Sequence, residues 1–202
     1  MSESVGMDSD VFGVTVACVC VPGPGNYTFD HVCRLFRMVK DHLKQSFVLC
    51  PITISPLPGW WAKVDLFQPG RFRGRVLYLD LDVTVTGDLM DLVNIDAPFA
   101  IIRDWHTGNF NSSVMVWDAG AADHIFTNFN DSVMKRYRGD QGWIHECMPY
   151  AATFPKRWCL SYKKHIRPRL NDSLPEDCRV ICFHGAPKAW DLPEGHKDAR
   201  YV

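Results

Sequence analysis

The stretch RVLYLDLDVTVTGDL, residues 75–89, opens as a buried strand and then sets two acids, Asp80 and Asp82, at its end. Val76, Leu77, Tyr78 and Leu79 form a short apolar run, which predicts a strand over 75–79. Side chains alternate along an extended chain, so Asp80 and Asp82 share one side and Leu81 points away. Two carboxylates this close repel each other unless positive charge lies between them. A divalent cation with oxygen ligands, Mn²⁺ or Mg²⁺, relieves that repulsion and also binds phosphates. Alone, an Asp-x-Asp triplet is a weak signal, because a surface turn after a strand has the same look. The strand before it and the apolar segment after it favour the metal reading.

Outward from this point, residues 11–21 (VFGVTVACVCV) predict a buried first strand, stopped by Pro22-Gly23-Pro24-Gly25. Thr28 or Asp30 caps a helix through Leu43, with Val32, Leu35, Phe36, Val39 and Leu43 on one stripe. Strands follow at 47–52, 99–102, 110–117 and 180–183, and helices at 60–67, 119–129 and 141–147. The segment 110–117 alternates and is strand-like. Strands alternating with helices predict one α/β domain, Rossmann-like, with a mostly parallel central sheet flanked by helices. Ligands of such sheets gather beyond the carboxyl ends of the strands, where Asp80 and Asp82 lie. The domain is expected over 11–190, with a flexible start at 1–10 and a polar tail at 191–202.

The 202 residues suit one domain, and 47% hydrophobic content is enough for a real core. A net charge of −1 argues against a general nucleic-acid or membrane adhesive. Charge is uneven, however. Lys135, Arg136, Arg138, Lys156, Arg157, Lys163, Lys164, Arg167 and Arg169 make 135–169 basic, which reads either as a solvated face or as a surface for an anionic acceptor. The eight Cys show no paired CxxC spacing and read as small buried thiols in a reducing compartment. The first residues are unlike a signal peptide, and no apolar run reaches the roughly 18 residues of a membrane span. Together these predict a cytoplasmic protein, of a cell or of a host.

Four segments in order resemble the glycosyltransferases of family 8, which include glycogenin and bacterial galactosyltransferases. They are WAKVDLFQPGRFRGRVLYLDLDVTVTGDLMDL (61–92), FNSSVMVWD (110–118), GDQG (139–142) and CFHGAPKAW (182–190). The resemblance implies a GT-A fold and a metal-dependent, retaining transfer of a sugar from a nucleotide-sugar, a UDP-sugar first of all, to a hydroxyl acceptor. It implies that Asp80 and Asp82 hold Mn²⁺ (or Mg²⁺) and that Lys63, Gly185 and Lys188 contact the donor's phosphates or sugar. Asn111 and Ser112 would line the sugar pocket. Asp104 would contact the sugar's hydroxyls, and Asp140 and Gln141 would lie by the anomeric carbon. The acceptor stays open: a polysaccharide, a protein, a small molecule or a modified nucleic-acid base.

The sequence also departs from that pattern. The family's third metal ligand is a His three residues before the Gly, where Cys182 stands here. His184 shares a side with position 182 on an extended strand, and an imidazole suits Mn²⁺ better than a thiol, so His184 is the expected ligand. Ser113 replaces a Gly and Ala189 a Pro. The loop 22–26 does not align, although Tyr27 beside it is a candidate to stack on a base. Plainer roles stand beside each assignment: Asp104 as a loop acid, Asp140 as a helix N-cap, Lys63 facing solvent, Asn111 bonding backbone, His184 satisfied in the core. A nucleotidyltransferase making nucleotide-sugars and a catalytically silent binding module are the competing functions. The first normally carries basic residues after its first strand, and VPGPGNYTF has none.

Overall fold

A computed structural model of the chain describes residues 13–23, 25–169 and 173–192. The first strand, β1 (Val14–Val19), leads through helix α1 (Phe29–His42) to β2 (Phe47–Ile52), which lies parallel to it. Helix α1 starts where the Thr28 N–H donates to His31 Nδ1 at 2.9 Å. It buries Val32, Leu35 and Val39 against the sheet. Phe36 is not on that stripe. It is 40% exposed and packs at the flank against Phe47, ring centroids 5.8 Å apart.

A 3-10 helix over Gly59–Phe67 then leads to β3 (Arg75–Leu79), which pairs with β1 on the side away from β2. Next come β4 (Val83–Val85), α2 (Met90–Val93), β5 (Phe99–Arg103) and β6 (Phe110–Asp118). The rest is α3 (His124–Thr127), α4 (Asp131–Arg136), α5 (Asp140–Cys147), β7 (Ala152–Thr153), β8 (Cys159–Ser161) and β9 (Val180–Cys182). The central sheet has the order β2-β1-β3-β6-β5-β7, and β6 alone runs against the other strands. The mostly parallel α/β sheet expected from the sequence is therefore present.

Two apolar layers cover this sheet. Val16, Leu77, Leu79, Val114 and Val116 face α1 on one side. Val76, Tyr78, Met115 and Trp117 face the 3-10 helix and α5 on the other. With both faces covered, β6 is buried from Phe110 to Trp117, in the strand the sequence pattern suggested. A smaller sheet, β4-β9-β8, packs beside the first. Asp80, Leu81 and Asp82 form the whole link between β3 in the large sheet and β4 in the small one.

The helix expected at 119–129 shortens to α3. A turn with Gly120 at φ +92° precedes it, and Asn130 begins a new helix by accepting the Ser132 N–H on Oδ1. All eight Cys are free thiols; Cys18, Cys159, Cys178 and Cys182 are buried, whereas Cys33 is exposed. The expected flexible start, 1–10, and residues 193–202 of the expected tail lie outside the described residues. Leu192, placed in that tail by the sequence, packs against the apolar cluster of the small sheet that contains Tyr162 and Phe183. Among the described residues no helix is long and apolar enough to cross a membrane.

Candidate active site

Because β1 pairs with β2 on one side and β3 on the other, the direction of winding reverses between β1 and β3. In open α/β sheets such a reversal leaves a crevice beyond the strand ends. A cavity of about 710 Å³ opens there. Gly23 and Tyr27 wall it after β1, Asp80 and Leu81 after β3, and Gly185 and Lys188 close the far side. Its size falls within the roughly 300–1,000 Å³ of small-ligand sites.

Of the residues expected at the site, Lys63, Asp80 and Lys188 line this cavity, whereas Asp82, Ser112 and Asp140 do not line it and are buried in contact with the two lysines. Lys63, on the 3-10 helix, is turned inward rather than to solvent. Its Nζ lies 2.8 Å from Asp80 Oδ1, 3.2 Å from Ser112 Oγ and 3.8 Å from Asp140 Oδ2. Burial pulls the Lys63 pKa down, but Asp80 and Asp140 outweigh it and the pKa rises, so the ammonium stays charged. Ser112 Oγ in turn donates to Asp140 Oδ2 at 2.5 Å. Asp140 is the first residue of α5, and the cap position belongs to Gly139. Burial raises the Asp140 pKa against the pull of Lys63 and Ser112. Lys188 Nζ donates to Asp82 Oδ2 and, at 3.2 Å, to the Phe183 carbonyl. Burial and Asp80 raise the Asp82 pKa while Lys188 opposes them.

Four expected residues stand elsewhere. Asn111 does not line the cavity: its Oδ1 accepts the Ser113 N–H at 3.0 Å. The β5–β6 register slips between Ile101 and Ile102, and the side chain takes up a backbone donor at that bulge. Asp104 closes a turn, its Oδ1 accepting from the N–H groups of His106 (2.9 Å) and Thr107 (2.7 Å). Burial raises its pKa, and those N–H donors reverse the shift and lower it. It borders a second cavity instead. His184 does not join the acids. Its Nε2 pairs with Ser161 Oγ at 2.7 Å, and its ring stacks on Trp105 with centroids 5.4 Å apart. Burial and nearby Lys163 hold its pKa below the usual value. Strand β9 ends at Cys182, so the alternation that would align position 184 with 182 has already stopped. Gln141 follows Asp140 on α5, half-buried, and lines neither cavity.

Cys182 is 1% exposed in the apolar core, and burial pushes its thiol well above the usual range. Among the described residues no three His, Cys, Asp or Glu side chains come together to hold one ion. The expected trio of Asp80, Asp82 and His184 is thus reduced to a pair. That pair still suits a hard cation. The contacting charges are three carboxylates, Asp80, Asp82 and Asp140, and two ammonium groups, Lys63 and Lys188. Arg34 adds a positive charge farther back, spent on the Val83 carbonyl and Thr84 Oγ1 at 3.0 Å each. A diphosphate would bring further negative charge beside these acids, which a divalent cation would offset. Mg²⁺-type ions are held by one or two carboxylates plus substrate phosphates, so two oxygens from the protein suffice.

Sequence reading overlooked several contributors. Tyr78 Oη donates to Asp80 Oδ1 at 2.5 Å, and the two-residue spacing on β3 was the available signal. Ser161, which holds His184, had none. An aromatic corner joins the Tyr27 candidate to His31 and Trp190 on the cavity wall. The His31 and Trp190 ring centroids are 4.2 Å apart, and Arg34 lies 5.8 Å above the Trp190 ring.

No protein-family model and no curated protein sequence matches this chain. Solved structures do. The glycosyltransferase GlyE of Streptococcus pneumoniae TIGR4 superposes with a TM-score of 0.67 at 15% identity, over 88% of this chain and 57% of GlyE. The galactosyltransferase LgtC, solved with donor and acceptor sugar analogues, gives 0.63 at 15% identity, over 87% of this chain and 89% of LgtC. A glycosyltransferase involved in glycosylation of the major capsid of PBCV-1 gives 0.63 at 12% identity, over 93% and 98% of the two chains. This chain spans a little over half the length of GlyE. Its fold is that of the GT-A glycosyltransferases, the class that the four sequence motifs resemble.

Proposed function

We propose that this protein is a metal-dependent glycosyltransferase that moves a sugar from a nucleotide-sugar, foremost a UDP-sugar, to a hydroxyl acceptor with retention of configuration. The observation that carries this reading is that Lys63, Asp80 and Lys188 line one cavity at the switch point of a GT-A sheet, with buried Asp140 and Asp82 paired to those two lysines. Asp80 and Asp82 would hold Mn²⁺ or Mg²⁺, which when bound neutralises charge on the departing diphosphate. Lys188, which here donates to Asp82, would place its ammonium by a phosphate oxygen, where charge develops as the bond breaks. Lys63 keeps Asp80 and Asp140 in register. The aromatic corner of Tyr27, His31 and Trp190 receives the base. Breaking the bond from C1 to the phosphate oxygen leaves cation character on the sugar, which the Asp140 carboxylate stabilises, as carboxylates do in glycoside chemistry. The acceptor oxygen bonds to C1 on the face just vacated, and its proton passes to the leaving diphosphate.

The test is turnover without acceptor. With Mn²⁺ and UDP-glucose or UDP-galactose, the wild type is expected to release UDP slowly, and Lys188→Ala is expected to lose that release. Absence of UDP release from every nucleotide-sugar offered would count against the enzyme reading and for a binding module.

A further inference from the structure

A second cavity, of about 370 Å³, lies one aromatic pair away from the first. Trp105 forms part of its wall and stacks on His184, and the next residue, Gly185, lines the first cavity. The Trp105 indole is fixed from below, its Nε1 donating to the Cys159 carbonyl at 3.0 Å. The floor is apolar, made by the buried side chains of Ile102 and Phe154. The rim is cationic. Arg103 and Lys156 stand exposed on it, and His106 and His165 complete that side. The carboxylate at the rim, Asp104, is already used: His106 N–H, Thr107 N–H and Thr107 Oγ1 all donate to its Oδ1. Arg103 gives Nη1 to the Gly108 carbonyl at 2.7 Å and keeps its other donors. Lys156 has no ion pair or side-chain hydrogen bond among the described residues. Positive charge continues toward the first cavity. Lys164 Nζ donates to the Trp105 carbonyl at 2.6 Å, and Lys163 Nζ lies 2.9 Å from where a Cβ on Gly185 would stand.

An apolar floor with a cationic rim fits a small amphipathic anion, and the volume, near the lower end for ligand sites, suits one about the size of a single sugar ring. We propose that this cavity holds the acceptor, and that the acceptor carries a phosphate or carboxylate group taken by Arg103 and Lys156. A guanidinium fork matches either anion with paired hydrogen bonds. The acceptor role rests on the reading that the donor occupies the first cavity; the anionic chemistry does not. The basic character of 135–169 then has a specific use at Lys156 and Lys163, at the edge of the transfer site.

The experiment titrates glucose 6-phosphate, glucuronate and uncharged glucose into the full chain, following the Trp105 indole N–H in ¹⁵N spectra, assigned with Trp105→Phe. At least one charged probe is expected to move that signal and glucose to leave it in place. Response to the phosphate alone or the carboxylate alone identifies which group the rim selects. In the double variant Arg103→Ala, Lys156→Ala, binding of the charged probe should weaken by roughly tenfold or more. Both side chains are exposed, and a preserved melting shift with UDP and Mn²⁺ in that variant verifies its fold and first cavity. The proposal is overturned if glucose binds as well as the charged probes, if no probe moves the signal, or if the double variant binds them like the wild type. Charged probes binding to a wild type that shows no UDP response would leave an anion site and overturn its role as acceptor cavity.

Discussion

Lys63 balances the base of the first cavity: one buried ammonium between Asp80, Ser112 and Asp140. Removing it strands two acids away from water. Lys63→Met is therefore expected to lower unfolding free energy by about 3–5 kcal/mol, the usual cost of breaking a buried pair from one side. Lys63→Met combined with Asp80→Asn should cost less than the two single changes added. Urea denaturation of the three variants measures this, and additive losses would mean that the contact carries no coupling. Asp140 gives a pH prediction. Its folded pKa is raised above the usual 3.8, mainly by burial, so the folded state holds the proton longer than the unfolded one. The contribution of Asp140 is then fully present below that value and is lost as pH rises through the higher folded one. Asp140→Asn should flatten this part of the fall in stability with rising pH, seen as melting temperature against pH. An unchanged slope would place the titration elsewhere. Much of this cluster was legible in the sequence, because Lys63, Asp80, Ser112 and Asp140 each sit in a motif with fixed spacing. The separate roles of Asn111 and Ser112 were not: neither lines the cavity, and beside a bulge between strands distant in sequence Asn111 bonds backbone while buried Ser112 joins Lys63 and Asp140.

The link Asp80-Leu81-Asp82 works as an element because both of its ends are held. On one side β3 is buried between β1 and β6; on the other, Arg34 of α1 grips the Val83 carbonyl and Thr84 Oγ1 of β4. Arg34→Ala is expected to cost about 2 kcal/mol, the scale of charged hydrogen bonds lost from a half-buried site. Amide exchange should quicken in β4 and β9 and stay slow in β1 and β3. Uniform quickening would mean that the small sheet opens only with the whole molecule. The long elements were readable from apolar runs and turn residues: β1, α1, β2, β3, β5 and β6 all lie where the pattern put them. Strands β7 and β8, of two and three residues, are too short to show any period. His184 failed as a ligand for a related reason: strand alternation was extended two residues past the end of β9.

At the scale of the molecule, a reversal in strand order creates the crevice, and the two sheets bring Asp80 from one and the loop bearing Lys188 from the other to its wall. The basic segment 135–169 serves several ends. Arg136 pairs with Glu146 and Arg157 with Asp177, both on the surface, where such pairs contribute little. Lys163 stands at the edge of the first cavity and Lys156 on the rim of the second. Net charge alone concealed this division. The central claim is that a divalent cation on Asp80 and Asp82 admits a nucleoside diphosphate to the crevice between β1 and β3. Its most direct test is the melting temperature of the wild type and of Asp82→Asn with UDP alone, Mn²⁺ alone and both together. The wild type should rise further with both than with the separate effects combined, and Asp82→Asn should lose that excess. A wild-type shift with UDP that ignores Mn²⁺, or an excess that survives in Asp82→Asn, would contradict the account.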